Sequence, residues 1–209
     1  MPTIQRLTDS CVLVTADDDA TLFDPGFHSF GSDLIDLDSI GDVTRVFVTH
    51  EHGDHVSPDF LSWLIERRSD LVVYSNSAVR SLLEERSIPV EVDVPPGVSI
   101  EDVPHEMIPN GATPPNRSFT IDGLFTHPGD SRQVTRSADI IALPLMAPWG
   151  SMTGAVELAR QLQPKTVVPV HDFYLSDSGR AWVRKTVAGA LEGDGIDVVD
   201  LDWGQSFTV

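Results

Sequence analysis

Residues 43–55 read VTRVFVTHEHGDH, the most informative part of the sequence. Its first part, 43–49, is mostly apolar and β-branched, as expected for a strand that is buried in a sheet. Its second part, 50–55, places three histidines and an aspartate within six residues. Ser57 then resembles a helix N-cap, and Pro58 a first helical residue. The stretch therefore predicts a strand, a loop rich in metal-ligand residue types and a helix.

The spacing of the loop residues suits metal binding. In an extended segment residues two apart point to the same side, so His50 and His52 can grip one metal ion. Gly53 permits a sharp bend, after which Asp54 and His55 can face a second ion. Imidazoles together with a carboxylate suit zinc, iron or manganese rather than calcium. A histidine-rich surface loop is the alternative, but four potential ligands at this spacing after a buried strand favour a metal site.

The composition predicts one globular domain, residues 1–209, and argues against several classes of partner. The net charge is −18, from 32 acidic and 14 basic residues, and such a surface repels phosphate backbones and anionic membranes. We therefore expect neither nucleic acid nor a membrane as a partner. No apolar run is long enough to cross a bilayer and no signal peptide is visible, which predicts a soluble, cytoplasmic protein.

The rest of the chain alternates between short apolar strands and helices, which predicts a mixed α/β fold. Cys11 is the single cysteine and lies in an apolar run, so we expect a buried core thiol and no disulfide. The segments 118–121 and 124–126 predict a hairpin that turns at Asp122 and Gly123. The other predicted strands are 11–15, 21–23, 71–74, 140–143 and 166–170. The other predicted helices are 78–86, 152–162 and 181–191.

The sequence HEHGDH resembles the H-x-H-x-D-H signature of the metallo-β-lactamase superfamily. More narrowly, the chain resembles the family that includes L-ascorbate-6-phosphate lactonase and many metal-dependent hydrolases. Further segments carry this resemblance, in the same order, along nearly the whole chain. They are 10–14 (SCVLV), 22–26 (LFDPG), 127–131 (HPGDS), 142–144 (ALP), 147–149 (APW) and 170–172 (VHD). The resemblance implies a four-layer αββα sandwich with metal ions at one edge between two sheets.

The resemblance also implies a set of metal ligands. The first ion would be bound by His50, His52 and His105. The second ion would be bound by Asp54, His55 and His171. Asp130 would bridge both ions. His127 competes with His105 for the first site, because the residues around His105 make a poor strand; we expect His127 instead to support a ligand.

Other residues are weaker candidates. Asp24 is a candidate acceptor for a ligand imidazole, and the alternative is a turn aspartate before a proline. Trp149 follows a proline in an apolar loop, where it would wall the substrate pocket or, as an alternative, fill the core. His28 is expected at the rim or in a structural role. Arg117 or Arg136 could meet an anionic group of a substrate, although solvated surface arginines are common.

The predicted activity is hydrolysis of an ester, lactone, amide or phosphodiester of a small molecule by a metal-bridging hydroxide, with Asp54 orienting the hydroxide and accepting its proton. Two divalent metal ions are the expected cofactors, with zinc as the default and manganese allowed by the lactonase resemblance. One alternative is a mononuclear iron thiol or persulfide dioxygenase, and another is a non-catalytic metal-binding protein of the same fold. A homo-oligomer is left open.

Overall fold

The computed structural model describes residues 1–17, 19–109, 111–146 and 150–209. The chain divides into two compact units, residues 1–95 with 201–209 and residues 96–200. In the described residues each unit contains one β-sheet and two α-helices. Two sheets with helices confirm the predicted mixed α/β class. The prediction of one domain across residues 1–209 stays a prediction.

The first unit is built on a seven-stranded sheet. Its strands are β1 (Thr3–Arg6), β2 (Val12–Ala16), β3 (Asp19–Phe23), β4 (Arg45–Phe47), β5 (Val72–Tyr74), β6 (Val90–Glu91) and β13 (Ser206–Thr208). The strand order is β13-β1-β2-β3-β4-β5-β6. The strands from β13 to β3 pair antiparallel, whereas those from β3 to β6 pair parallel. The carboxyl ends of β3, β4 and β5 therefore lie at one edge of the sheet, where polar side chains follow each strand.

Two helices complete the first unit, α1 (Pro58–Arg67) and α2 (Ser77–Glu84). Ser57 caps α1 as predicted, because its hydroxyl accepts the backbone N–H of Phe60 and a proline occupies the first turn. Each helix buries an apolar face. The buried residues of these faces are Phe60, Leu61 and Leu64 of α1 and Val79 and Leu83 of α2. They form one core with apolar residues of the sheet such as Leu22, Val46 and Val73.

The second unit is built on a six-stranded sheet. Its strands are β7 (Val98–Pro104), β8 (Pro115–Ile121), β9 (Phe125–His127), β10 (Ile140–Pro144), β11 (Thr166–Val170) and β12 (Asp197–Val198). The strand order is β12-β11-β10-β9-β8-β7. The hairpin between β8 and β9 is confirmed, with positive φ at Asp122 (49°) and Gly123 (63°) as such turns require. From β9 to β12 the strands run parallel.

The helices of the second unit are α3 (Met152–Leu162) and α4 (Asp177–Leu191). The bounds of α3 are those predicted from sequence. The last helix begins at Asp177, before the predicted start at 181, because Ser176 caps it by accepting the N–H of Gly179. Both helices bury aliphatic residues in one core with β10 and β11.

The segment before His105 is a strand, so the prediction of a poor strand there was wrong. β7 is an edge strand that pairs only with β8 in the described sheet, and its residues alternate between exposed and half-buried. Such a strand needs few apolar residues. Pro104 lacks an N–H, but at the end of an edge strand this interrupts no hydrogen bond in the middle of the sheet. His105 therefore lies at the carboxyl end of a strand.

The single cysteine and the lengths of the helices both bear on predictions made from the sequence. Cys11 is buried as predicted, and burial raises the pKa of its thiol above the usual range, so the thiol stays protonated and unreactive. Within the described parts of the chain, no helix is both long enough and apolar enough to cross a membrane.

Two adjacent leucines of α2 test the core of the first unit. Leu83 is fully buried and Leu82 is 38% exposed. We expect Leu83→Ala to lower the free energy of unfolding by about 2–5 kcal/mol, because it leaves a cavity. Leu82→Ala serves as the matched control and should cost less than about 1 kcal/mol. Urea denaturation of both variants checks this, and equal losses would contradict the burial of this helix face.

Candidate metal centre

The histidine-rich loop follows the carboxyl end of β4, and a buried aspartate from the neighbouring strand anchors it. Asp24 comes directly after β3 and is fully buried. Its carboxylate accepts hydrogen bonds from the backbone N–H of Thr49 (2.7 Å), the hydroxyl of Thr49 (2.8 Å) and Nδ1 of His55 (2.7 Å). Asp24 thus satisfies its buried charge with three donors from the loop. Asp24 thus accepts a hydrogen bond from an imidazole, while its support of a metal ligand stays a prediction.

These hydrogen bonds fix where two imidazoles carry their protons. An ionised carboxylate only accepts, so Nδ1 of His55 is the protonated nitrogen and Nε2 has the lone pair. The Thr49 hydroxyl donates its hydrogen to Asp24, so toward Nδ1 of His50, 3.0 Å away, Thr49 acts as an acceptor. Nε2 of His50 is therefore also the lone-pair nitrogen, and it lies 3.1 Å from Nδ1 of His52.

A turn after β3 packs against the same loop. The backbone N–H of Phe27 donates to the carbonyl of Gly53 (2.9 Å), and that of Ser57 donates to the carbonyl of Pro25 (2.8 Å). A Cβ atom on Gly26 would lie 1.8 Å from the backbone oxygen of Asp54, so only glycine fits there. Asp54 itself is half-buried, and its carboxylate lies within 4.8 Å of a ring nitrogen of His55.

Sequence reasoning missed three polar residues that position this loop. Besides Thr49, they are Ser75 and Asn76, which follow the end of β5. The hydroxyl of Ser75 donates to the carbonyl of Val48 (2.6 Å), and the side-chain amide of Asn76 donates to the carbonyl of Thr49 (3.2 Å). Asn76 also caps α2. An asparagine before a helix signals only the cap, so its second role had no signal in the sequence.

The second unit gathers His105, Asp130 and His171 at strand ends. Oδ2 of Asp130 lies 3.2 Å from Nε2 of His105 and 3.1 Å from Nε2 of His171. All three side chains are buried. One carboxylate oxygen thus faces two imidazoles, which come from the ends of β7 and β11.

The proton position on His105 is also fixed. Its Nδ1 lies 2.5 Å from the backbone carbonyl oxygen of Glu106, and because a carbonyl can only accept, Nδ1 must carry the proton. In the neutral ring Nε2 then presents a lone pair to the carboxylate of Asp130. A cation placed between this nitrogen and the carboxylate would be attracted by both.

Asp130 is placed by the side chain of Asn116 on β8. The amide oxygen of Asn116 accepts the backbone N–H of Asp130 (3.1 Å), and its nitrogen donates to the carbonyl of Pro128 (2.9 Å). His127 is buried in the same loop and accepts the N–H of Gly129 on Nδ1 (3.2 Å). In this unit, therefore, His105 and not His127 faces the carboxylate of Asp130. Asn116 was also missed, since an isolated asparagine in a strand carries no sequence signal.

His171 sits on a segment that a buried ion pair secures. Its backbone has φ +58°, unusual for a residue other than glycine, and the next residue is Asp172. The Asp172 carboxylate lies 2.9 Å from Nε of Arg184 on α4, and Arg184 also binds Asp200 at 2.8 Å. Burial alone would lower the pKa of Arg184, but the two carboxylates outweigh it and raise that pKa.

The donor set in each unit fits a metal ion. Two nitrogen or oxygen ligands at about 2.0–2.1 Å from a tetrahedral ion would lie about 3.3 Å apart. The three ligand-to-ligand distances are close to that value: 3.1 Å for His50 and His52, 3.2 Å for His105 and Asp130, and 3.1 Å for His171 and Asp130. Imidazole nitrogens with carboxylate oxygens are ligands typical of zinc and manganese sites.

The remaining candidates lie elsewhere or are engaged. Trp149 lies outside the described residues. Arg117 is bound through Nε to the carboxylate of Asp102 (2.6 Å), and Arg136 donates to the carbonyl of Ile100 (3.0 Å). His28 is buried, with Nε2 3.8 Å from Oδ2 of Asp9. Arg117 and Arg136, the candidates for contact with an anionic group of a substrate, thus each donate to an acceptor of the chain.

Comparison with known proteins agrees with the fold. A family model described as the metallo-beta-lactamase superfamily matches residues 6–171. Protein Rv0786c of Mycobacterium tuberculosis is 27% identical over 183 residues, which cover 82% of this chain and 84% of the relative.

Two solved structures are similar over nearly their whole length. A candidate metal-dependent hydrolase from Parabacteroides distasonis has a TM-score of 0.71 and 24% identity, covering 97% of this chain and 93% of the other. Igni18, a metallo hydrolase from Ignicoccus hospitalis, has a TM-score of 0.70 and 18% identity, covering 100% and 99%. At these identities the likeness shows the fold.

The close approach of Gly26 to the loop predicts a steric effect. Gly26→Ala should lower the free energy of unfolding by about 1–3 kcal/mol or more, because the new methyl group meets backbone atoms that cannot rotate away. Gly189→Ala on α4 is the matched control; nothing lies within 4 Å of its new Cβ, so it should stabilise by up to about 1 kcal/mol. Chemical denaturation measures both, and a neutral Gly26→Ala would show that the turn does not support the loop.

Proposed function

The chain belongs to the metallo-β-lactamase superfamily, and from this membership we propose that it is a metal-dependent hydrolase of small molecules. The bond cleaved is an ester, lactone, amide or phosphodiester. The observation that supports this best is Oδ2 of Asp130, which lies 3.1–3.2 Å from the Nε2 atoms of two buried histidines. A buried carboxylate oxygen between two imidazoles is suited to bind cations and poorly suited to a merely structural role.

The proposed ligands are those that the resemblance implies. His50, His52 and His105 would hold the first ion. Asp54, His55 and His171 would hold the second ion. Asp130 would be a ligand of both. The family match covers residues 6–171, a range that contains every one of these residues. Zinc is the default metal, and manganese is the alternative.

The ions would supply Lewis acidity, polarising the bond to be cleaved and lowering the pKa of water from about 15.7 toward about 7. The residues of the chain provide the geometry and the proton transfer. Asp54 orients the attacking water and accepts its proton at a carboxylate oxygen. Asp24 and Thr49 keep the Nδ1 protons of His55 and His50 in place, so their Nε2 atoms remain the ligand atoms.

Finer features of the proposal rest on the sequence. They are the narrower likeness to the lactonase family, a pocket wall at Trp149 and a cytoplasmic location without nucleic-acid or membrane partners; a homo-oligomer is left open. The acidity of the chain, with a net charge of −18, supports the exclusion of nucleic acid.

Metal content tests the ligand set. The purified chain, saturated with zinc or manganese and then desalted, should retain about two ions per chain by elemental analysis. Its unfolding free energy should rise by about 4 kcal/mol when free metal is 1,000 times its Kd. Asp130→Ala should lose most of the metal and most of this stabilisation. His28→Gln, which changes a histidine outside the ligand set, should retain both; a folded wild type without bound metal would overturn the assignment.

Asp54 tests the proton transfer. Asp54→Asn keeps an oxygen ligand but removes the base, so kcat should fall by about 100-fold or more while metal is retained. The substrates are 4-nitrophenyl acetate, a homoserine lactone and bis(4-nitrophenyl) phosphate. Asp59→Ala removes an equal charge from the surface of α1 and should leave kcat within about twofold.

Two results would contradict the hydrolytic assignment. Full activity of metal-loaded Asp54→Asn would remove Asp54 from the reaction. Oxygen uptake by the iron-loaded protein with a thiol, in place of any hydrolysis, would replace the proposed activity with a dioxygenase.

A further inference from the structure

Arg132 differs from every other arginine of the chain. Of the 14 basic residues, Lys165 and Lys185 are lysines, which leaves twelve arginines, all within the described residues. The side chains of eleven donate to a carboxylate, hydroxyl or backbone carbonyl of the chain. The guanidinium of Arg132 has no hydrogen-bond acceptor among the described residues, and its Nε is buried.

Arg132 lies beside the proposed bridging carboxylate. It follows Asp130 by two residues, and its backbone N–H donates to Oε1 of Glu106 (3.1 Å). The N–H of Glu106 in turn donates to the carbonyl of Asp130 (2.8 Å), and Glu106 is the neighbour of His105. These bonds join Arg132, Asp130 and His105 in one group of loops at the strand ends of the second unit.

The guanidinium of Arg132 packs against the first turn of α3, where Gly154 has no side chain. A Cβ on Gly154 would lie 2.8 Å from Nη1 of Arg132, so the side chain lies directly against this turn. The amino end of a helix carries partial positive charge, which repels a cation but attracts an anion. A half-buried arginine placed there is stabilised by negative charge, and nearby carboxylates of the chain already supply part of it.

The chain has many carboxylates that could have neutralised Arg132, with 32 acidic residues in total. Elsewhere its arginines are paired in this way; Arg184, for example, binds two aspartates. Three carboxylates interact electrostatically with Arg132, those of Glu106, Asp130 and Glu157. Among the described residues none of them accepts a hydrogen bond from its guanidinium, whose donors can therefore reach a ligand.

We propose that Arg132 binds an anionic group of the substrate, a carboxylate or a phosphate, next to the bond that is cleaved. This inference rests on the proposed hydrolase function and names its substrate class: small esters, lactones or amides that carry a negative charge. A guanidinium matches two oxygens of either anion with two parallel hydrogen bonds. It is also the cation that sequence reasoning missed, since Arg117 and Arg136 have acceptors of their own.

The net charge of −18 does not oppose an anionic substrate at short range. At physiological ionic strength the Debye length is about 8 Å, so exposed carboxylates farther away are largely screened. A partly buried guanidinium in contact with the anion is screened much less. The nearest cation therefore decides affinity, while the surface charge slows only the approach of the substrate.

Direct anion binding is the first test. Inorganic phosphate and succinate are titrated separately by calorimetry into the metal-free protein, so that neither anion can bind through a metal ion. At least one should bind, and Arg132→Ala should weaken it by about 10-fold or more, as expected for charge-assisted hydrogen bonds. Arg132→Lys should keep part of the affinity. Arg136→Ala, an exposed arginine of the same loop, should leave it unchanged.

Activity supplies the second test. Mono-4-nitrophenyl succinate and 4-nitrophenyl acetate share a leaving group and differ in one carboxylate. With the zinc-loaded protein, Arg132→Ala should raise KM about 10-fold for the charged ester and leave kcat/KM for the neutral ester within about twofold. A purely structural effect would change both esters alike.

The outcomes separate this inference from the proposed function. If neither anion binds the wild type, or if Arg132→Ala binds both anions as tightly as the wild type, the anion site is wrong whatever the activity. If anion binding depends on Arg132 but no substrate is hydrolysed, the hydrolase proposal fails while the anion site is supported. Whether phosphate or succinate binds more tightly identifies the anionic group.

Discussion

The candidate centre of the first unit depends on the carboxylate of Asp24. It is buried after β3, and it accepts three hydrogen bonds from the loop that follows β4. One of them holds the proton of His55 on Nδ1, and the Thr49 hydroxyl transmits the same constraint to His50. A single buried acceptor therefore sets the backbone path of the loop, the orientation of two rings and the nitrogen that each ring offers to a ligand. The φ of +46° at Asp24 is the local strain that this arrangement carries.

In the second unit, different groups hold the candidate ligands in position. The backbone carbonyl of Glu106 takes the place of a carboxylate in holding the Nδ1 proton of His105. Asn116 positions the Asp130 backbone, and the Asp172–Arg184 pair secures the segment of His171. In the second unit, neutral acceptors and a buried ion pair position the histidines and Asp130. In the first unit, the single carboxylate of Asp24 positions the histidines. The common result is that the lone pairs of the rings are directed by hydrogen bonds before any ligand is bound.

Local patterns allowed much of this to be predicted from the sequence. The apolar run 43–49, the Ser57 cap and the helix Met152–Leu162 were recognisable because each signal lies within a few residues. The pairing of β1 with β13 joins Thr3 to Thr208, and no local pattern reports such a partner. The edge strand β7 showed no apolar pattern in the sequence, because its residues are exposed or half-buried and such a strand needs few apolar residues. Thr49, Asn116 and Arg132 were missed because an isolated polar residue shows its role only through neighbours that are distant in sequence.

Charge explains why the two buried aspartates differ. Asp24 is surrounded by hydrogen-bond donors, so its negative charge is compensated within the chain. Asp130 faces Nε2 of His105, whose proton is fixed on the opposite nitrogen, and Nε2 of His171. With a neutral His105 ring the carboxylate meets a lone pair, and a buried charge in that setting is costly. A divalent cation bound between these groups would relieve this cost and stabilise the fold, by an amount that grows with the logarithm of its concentration relative to its Kd. Metal binding and the stability of the second unit would then be two effects of one electrostatic requirement.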